Sequence, residues 1–148
     1  MLWLISNGYI YLFSWSFLAA TIVPVGSEWL LAALLMKSYD PLFLLGIATT
    51  GNVLGALSTY AIGFYGGDRL TRNILRLKPE TIEKAHGAFM KYGVWSLFFS
   101  WLPFIGDGLC LVGGTLKVPM VWFFPLVFTG KCLRYLFIIT LVHGNSFI

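Results

Sequence analysis

AATIVPVGSEWLLAALLM, residues 19–36, is an apolar run interrupted where a membrane helix could least bear it: Pro24-Val25-Gly26-Ser27 is followed at once by the carboxylate of Glu28. Proline removes a backbone donor and glycine frees the turn, so the chain can reverse direction here. Ser27 is a fitting N-cap for a helix that opens with Glu28. The helix-like pieces on either side, 9–23 and 28–36, are each too short to cross ~30 Å of hydrocarbon, which takes about 20 residues. The stretch therefore reads as a re-entrant helical hairpin with its tip at Pro24 and Gly26. One spanning helix with an acid at its middle fits less well.

Outward from this hairpin the chain keeps the same character. Its 148 residues are 58% hydrophobic and only 11% charged, whereas a soluble domain carries about 25% charged residues. Nine of the sixteen charges fall between Asp68 and Lys91, and segments 1–27 and 41–67 have none. A soluble enzyme, a disordered tail and a disulfide scaffold are excluded, and the composition is that of an integral membrane protein. The start has neither a basic n-region nor a small-x-small cleavage site, so it reads as a membrane segment rather than a cleavable signal. Residues 41–67 form an uninterrupted span ending at Gly66-Gly67, with Gly51 and Gly55 spaced for close helix packing.

The charged segment is a connector. In DRLTRNILRLK (68–78), Leu70, Ile74 and Leu77 share one helical face and Arg69, Arg72 and Arg76 the opposite one, the pattern of a helix lying in a lipid interface. Pro79 opens a second amphipathic piece, PETIEKAHGAFMKY (79–92), with Ile82, Ala85 and Phe89 as its apolar stripe and Gly93 as its stop. A second broken stretch follows. Residues 94–102 and 108–116 flank Pro103-Phe104-Ile105-Gly106-Asp107, giving a second tip at Pro103 and Gly106. A final span covers 118–142, with Pro125 as a kink and Lys131 and Arg134 inside it.

The halves align at one offset of 79 residues: Pro24 with Pro103, Glu28 with Asp107, and Thr50-Gly51 with Thr129-Gly130. Three unlike signals sharing one offset argue for a repeat. Each half is a hairpin plus one crossing, so the second half is inverted relative to the first, the plan of secondary transporters. The expected fold is thus all-α in a single membrane domain, 1–148. Repeat 1 covers 9–67, the amphipathic connector 68–92 and repeat 2 93–145. Six Lys/Arg in 68–91 against one in 37–40 put the connector on the cytoplasmic side and both termini outside.

These residues also resemble the DedA family, the VTT or SNARE-associated membrane proteins, and within it the YqaA-like bacterial branch. The resemblance lies in the Pro24–Glu28 break, Gly51-Asn52-Val53-Leu54-Gly55, KYGVWSLFFSWLPFIGD (91–107) and GKCLRY (130–135), and covers roughly residues 10–142. It implies two re-entrant hairpins facing each other in a bacterial inner membrane and translocation of a lipid or lipid phosphate, such as undecaprenyl phosphate or a phospholipid. Many members carry arginines around the second hairpin's proline. Here that stretch is Ser100-Trp101-Leu102-Pro103-Phe104-Ile105-Gly106, so those phosphate-binding arginines do not carry over. Glu28 matches the acidic position after the first hairpin's turn and does.

Four charges fall in the apolar stretches: Glu28, Asp107, Lys131 and Arg134. Each costs about 2.5–3.5 kcal/mol at the bilayer centre, so pairing or hydration must remove most of it. They sum to zero, and the two bases lie three apart on one helical face. A structural salt-bridge cluster would satisfy this. Placement of both acids at the broken tips favours a site in one water-reachable cavity, with Glu28 and Asp107 coupling protons or cations. Arg134, with Lys131 beside it, would be the lipid-phosphate or charge partner, since guanidinium binds carboxylate or phosphate bidentately. The basic face of Arg69, Arg72 and Arg76 anchors the connector at anionic headgroups, which makes membrane lipids rather than nucleic acid the partner of the basic excess. A homo-oligomer is compatible with this pattern. His86 and His143 have no ligand partners, Cys110 and Cys132 no metal or redox spacing, and neither a metal nor another cofactor is expected. Ile105-Gly106-Asp107 is a poor match to the Gly-x-Gly-Asp of intramembrane aspartyl proteases, because position 104 is Phe. The other functional classes are a small ion or solute channel or exchanger, and a membrane assembly factor that transports nothing.

Overall fold

The computed structural model describes residues 2–21, 26–74, 78–103 and 105–144. Among these every regular element is helical. They are α1 (Leu2–Ala19), α2 (Glu28–Met36), α3 (Pro41–Ile74), α4 (Pro79–Tyr92), a 3-10 helix (Gly93–Trp101), α5 (Ile105–Thr115) and α6 (Met120–His143). Two helices have stretches long and apolar enough to cross a membrane, Pro41–Gly66 and Met120–Val142.

Asp40 sets the start of α3. Its Oδ1 accepts from the backbone N–H groups of Leu42 at 2.8 Å and Phe43 at 3.3 Å, and Pro41 takes the first helical position, where no donor is needed. The two connections that lead into the long helices share a device: Ser38 after α2 and Lys117 after α5 both adopt positive φ, 62° and 54°. Each ends a short helix by the left-handed residue that commonly follows a helix C-terminus.

α3 is the hub, packed against α1 and α5, while α6 packs against the 3-10 helix, α3 and α2. Glycines permit the closest approaches. A Cβ on Gly51 would stand 2.7 Å from the Phe13 carbonyl oxygen, and one on Gly130 2.6 Å from that of Phe98. The apolar core has two clusters. One joins Leu12, Leu31, Leu44 and Ala48 to Tyr135 and Ile139; the other joins Ala56, Tyr60, Leu97 and Leu109 to Phe123 and Val127. The early part of α3 therefore meets the late part of α6, and the reverse, so the two long helices run antiparallel.

Several boundaries differ from the sequence reading. α1 starts at Leu2 and ends at Ala19, not 9–23, because nothing from 2 to 8 stops a helix; Gly8 is tolerated and lies beneath the Tyr39 ring. α3 does not end at Gly66-Gly67 but runs through them to Ile74. Two glycines each cost a helix interior roughly 1 kcal/mol, a penalty that the helical sequence on both sides outweighs. Residues 68–74 thus extend α3 rather than forming a separate helix. The side chains of Arg69 and Arg72, all of Arg76, and Pro24 lie outside what the structure describes. The connector's amphipathic helix is α4, which buries Ala85 and Phe89 and ends at Gly93 with φ 62°. Residues 93–101 coil as a 3-10 helix, not as an α-helix.

Candidate functional site

Between the two apolar clusters lies a polar layer. Asn52 stands between Ala48 and Ala56 on α3, and Lys131 between Val127 and Tyr135 on α6, each near the middle of its apolar helix. A buried amide or ammonium at that depth must find partners, and both do. Lys131 is 1% exposed; its Nζ donates to Asn52 Oδ1 and lies 3.6 Å from Asp107 Oδ1. Asn52 Nδ2 donates to the Tyr135 hydroxyl at 2.9 Å and to the Ser16 carbonyl at 3.3 Å. The Tyr135 hydroxyl, accepting from Asn52, also shares a hydrogen bond with Ser27 Oγ at 2.5 Å.

Ser27 occupies the N-cap position of α2 without capping it through its side chain; its hydroxyl is taken by Tyr135 instead. A continuous polar chain therefore runs from Ser27 before α2 through Tyr135, Asn52 and Lys131 to Asp107 on α5. Sequence reasoning missed Ser27, Asn52 and Tyr135 as site residues. A lone asparagine inside a charge-free span was the available signal.

The second ion pair lies beside this chain. Arg134 pairs with Glu28, and their side chains are 14% and 32% exposed. Gly26 makes the room: a Cβ there would collide with the Glu28 carboxylate. Arg134 Nη1 also reaches the Trp101 carbonyl at 3.4 Å, and its guanidinium lies 5.8 Å from the Tyr135 ring centroid. At the start of α5 the Gly106 N–H donates to the Leu102 carbonyl at 2.9 Å. A Cβ on Gly106 would strike the Ser100 backbone.

The four predicted charges thus sort into two pairs, each joining an acid in the first turn of a short helix, α2 or α5, to a base of α6. They differ in access. Lys131 is sealed. Arg134 forms part of the wall of a groove of about 520 Å³ between the 3-10 helix and α6, otherwise lined by Phe98, Trp101, Leu133, Leu136, Phe137 and Thr140. Leu133, Leu136 and Phe137 are exposed along it, so it opens on the outer face of the helix bundle. Glu28, Asp107 and Lys131 do not line it; Glu28 is tied to its wall by the ion pair with Arg134. Cys110 is buried and Cys132 half-buried, both as free thiols. Among the described residues no group of His, Cys, Asp and Glu is arranged to hold a metal.

The VTT domain profile matches residues 23–144, which takes in both proline-broken stretches and both long helices. The chain belongs to the VTT domain, or DedA, family. Relatives within reach of this VTT protein include the inner membrane protein YqaA of Escherichia coli K12, 38% identical over 128 residues, which cover 84% of this chain and 83% of the relative. A protein of Haemophilus influenzae described as uncharacterised is 34% identical over 140 residues, covering 88% and 84%. An alkaline phosphatase-like protein of Lactococcus lactis subsp. cremoris is 33% identical over 118 residues, with 72% of this chain and 55% of the relative covered. No solved structure matches the VTT chain. This VTT protein is an all-helical membrane protein.

Proposed function

We propose that the protein is a transporter or scramblase of a phosphate-bearing lipid, undecaprenyl phosphate or a phospholipid, spanning the bacterial inner membrane more than once. One observation carries the reading: Arg134 is the charge among the residues lining an apolar groove that opens outward, and it is held there by an acid on a hairpin tip. An anionic headgroup on an apolar chain is the ligand such a wall suits. Phosphate can replace Glu28 on the guanidinium bidentately, and a freed, partly exposed carboxylate can take up a proton or cation. On this reading Glu28 and Asp107 are the coupling groups and Arg134 the phosphate contact, while Lys131 serves as a charge partner behind it.

The inverted repeat is part of the same proposal. Its support is that the short helix of each half packs on the long helix of the other, α2 on α6 and α5 on α3. The two positive-φ turns Ser38 and Lys117 share the 79-residue offset of the Asn52–Lys131 pair. In that arrangement the broken tips face each other near the midplane, where transporters of this plan bind their ligand. Arg69, Arg72 and Arg76 would hold the connector at the cytoplasmic headgroups.

Flipping of a fluorescent phospholipid, and separately of a short polyprenyl phosphate, in vesicles containing the purified protein tests the function. Wild type should equilibrate one of them across the bilayer, and Arg134→Ala should not. Ion flux without lipid movement would make the protein a channel or exchanger, and neither activity in a folded sample would make it an assembly factor.

A further inference from the structure

Lys131 is the most deeply buried charge described, at the middle of an apolar helix where an ammonium is costly. Its surroundings consist of oxygen donors from other elements. Asp107 Oδ1 comes from α5 and Asn52 Oδ1 from α3. The Asn52 carbonyl is aimed: Nδ2 is committed to the Ser16 carbonyl and the Tyr135 hydroxyl, so the amide has only its oxygen left to present. Carboxylate and amide carbonyl oxygens are hard ligands of the kind that hold metal ions and ammonium alike.

We propose that Asp107 and Asn52 form a seat for a small monovalent cation at the centre of the molecule, and that the chain fills it with its own Lys131 ammonium. A buried ion pair made only for stability would need a carboxylate facing a base. Here a further donor of the ammonium is answered by an amide oxygen that the amide's own two hydrogen bonds hold in place. In the wild-type protein the tethered ammonium holds the seat against free sodium, potassium or ammonium. The proposal does not rest on lipid transport, and its test reads cation binding alone.

Truncating the lysine empties the seat and leaves one carboxylate without its counter-charge. Thermal unfolding of the purified full-length protein is measured in sodium, potassium, ammonium and choline chloride at equal ionic strength. Wild type should melt alike in all four. Lys131→Ala should melt lower in choline and recover most of the loss in at least one small cation, rising with the logarithm of its concentration as mass action requires. Lys131→Ala/Asp107→Asn should respond to none. The same melting point for Lys131→Ala in every salt, or an equal response from the double variant, overturns the proposal. If Lys131→Ala does not fold, Lys131→Met and Lys131→Met/Asp107→Asn decide: the double variant should be the more stable, because its uncompensated carboxylate is gone. Equal stability of the two overturns the seat.

Discussion

Ser27 and Tyr135 share a hydrogen bond of 2.5 Å between the residue that precedes α2 and the last helix, and both side chains are fully buried. Tyr135 also accepts from Asn52, so one hydroxyl joins three elements. Tyr135→Phe keeps the ring and removes that hydroxyl, leaving a buried serine and a buried amide each short of a partner. The cost should be about 1–3 kcal/mol, read as a lowered unfolding midpoint in detergent. Ser27→Ala should cost less, because Tyr135 keeps Asn52.

Glycines at helix crossings should separate from glycines that face open space. A Cβ on Gly63 would run into the Leu111 carbonyl, while around Gly87 there is nothing within 4 Å. Gly63→Ala forces α3 from α5 and should destabilise by about 1–3 kcal/mol. Gly87→Ala gains helix propensity without a clash and should be neutral or stabilising by up to about 1 kcal/mol. Paired melting curves check both signs.

Asp40 caps α3 through two backbone N–H groups. Asp40→Ala should lose about 1 kcal/mol, and hydrogen exchange should show the loss first at Leu42 and Phe43. Asp40→Asn should retain most of the cap, since its side-chain oxygen can still accept.

Glu28 is paired with Arg134, the phosphate contact of the proposed function. Glu28→Gln should bind a phosphate-bearing lipid more tightly, by about tenfold if the competition amounts to roughly 1.4 kcal/mol, while failing to move it. Arg134→Ala should bind none above background, and Arg134→Lys should bind weakly because it loses the planar fork. Native mass spectrometry of the protein with a lipid phosphate added gives the ratio of bound to free. Weaker binding by Glu28→Gln would contradict Arg134 as the phosphate contact.

The helical fold and the two breaks were legible in the sequence because they rest on strong local signals: charge-free stretches and proline next to an acid. Three features were not. The 3-10 coiling of 93–101 leaves no trace in VWSLFFSW (94–101), where Ser96 and Ser100, four apart, carry the spacing of one α-helical face. Continuation of α3 through Gly66-Gly67 depends on the balance between a local penalty and the helix on either side, which a residue-by-residue reading underweights. For the site, the neutral sum of the four charges was readable, but which acid meets which base was not. The pairing of Glu28 with Arg134 and Asp107 with Lys131 follows from how α6 packs against α2, α3 and the 3-10 helix, a relation that no local signal carries. Asn52 and Tyr135 looked like ordinary members of a span because their partners are equally distant.

The pairing of Glu28 with Arg134 also carries a consequence for biogenesis. More than a hundred residues separate the two, so at a synthesis rate of about 5–20 residues per second the acid waits on the order of 5–20 s for its base. During that interval the nascent amino-terminal half lies at the insertion machinery with an unanswered carboxylate at its bend. It can settle only when the carboxy-terminal helix arrives. Truncated chains that end before Lys131 should therefore be substrates for membrane quality control, and co-expression of the missing helix as a separate peptide should rescue them.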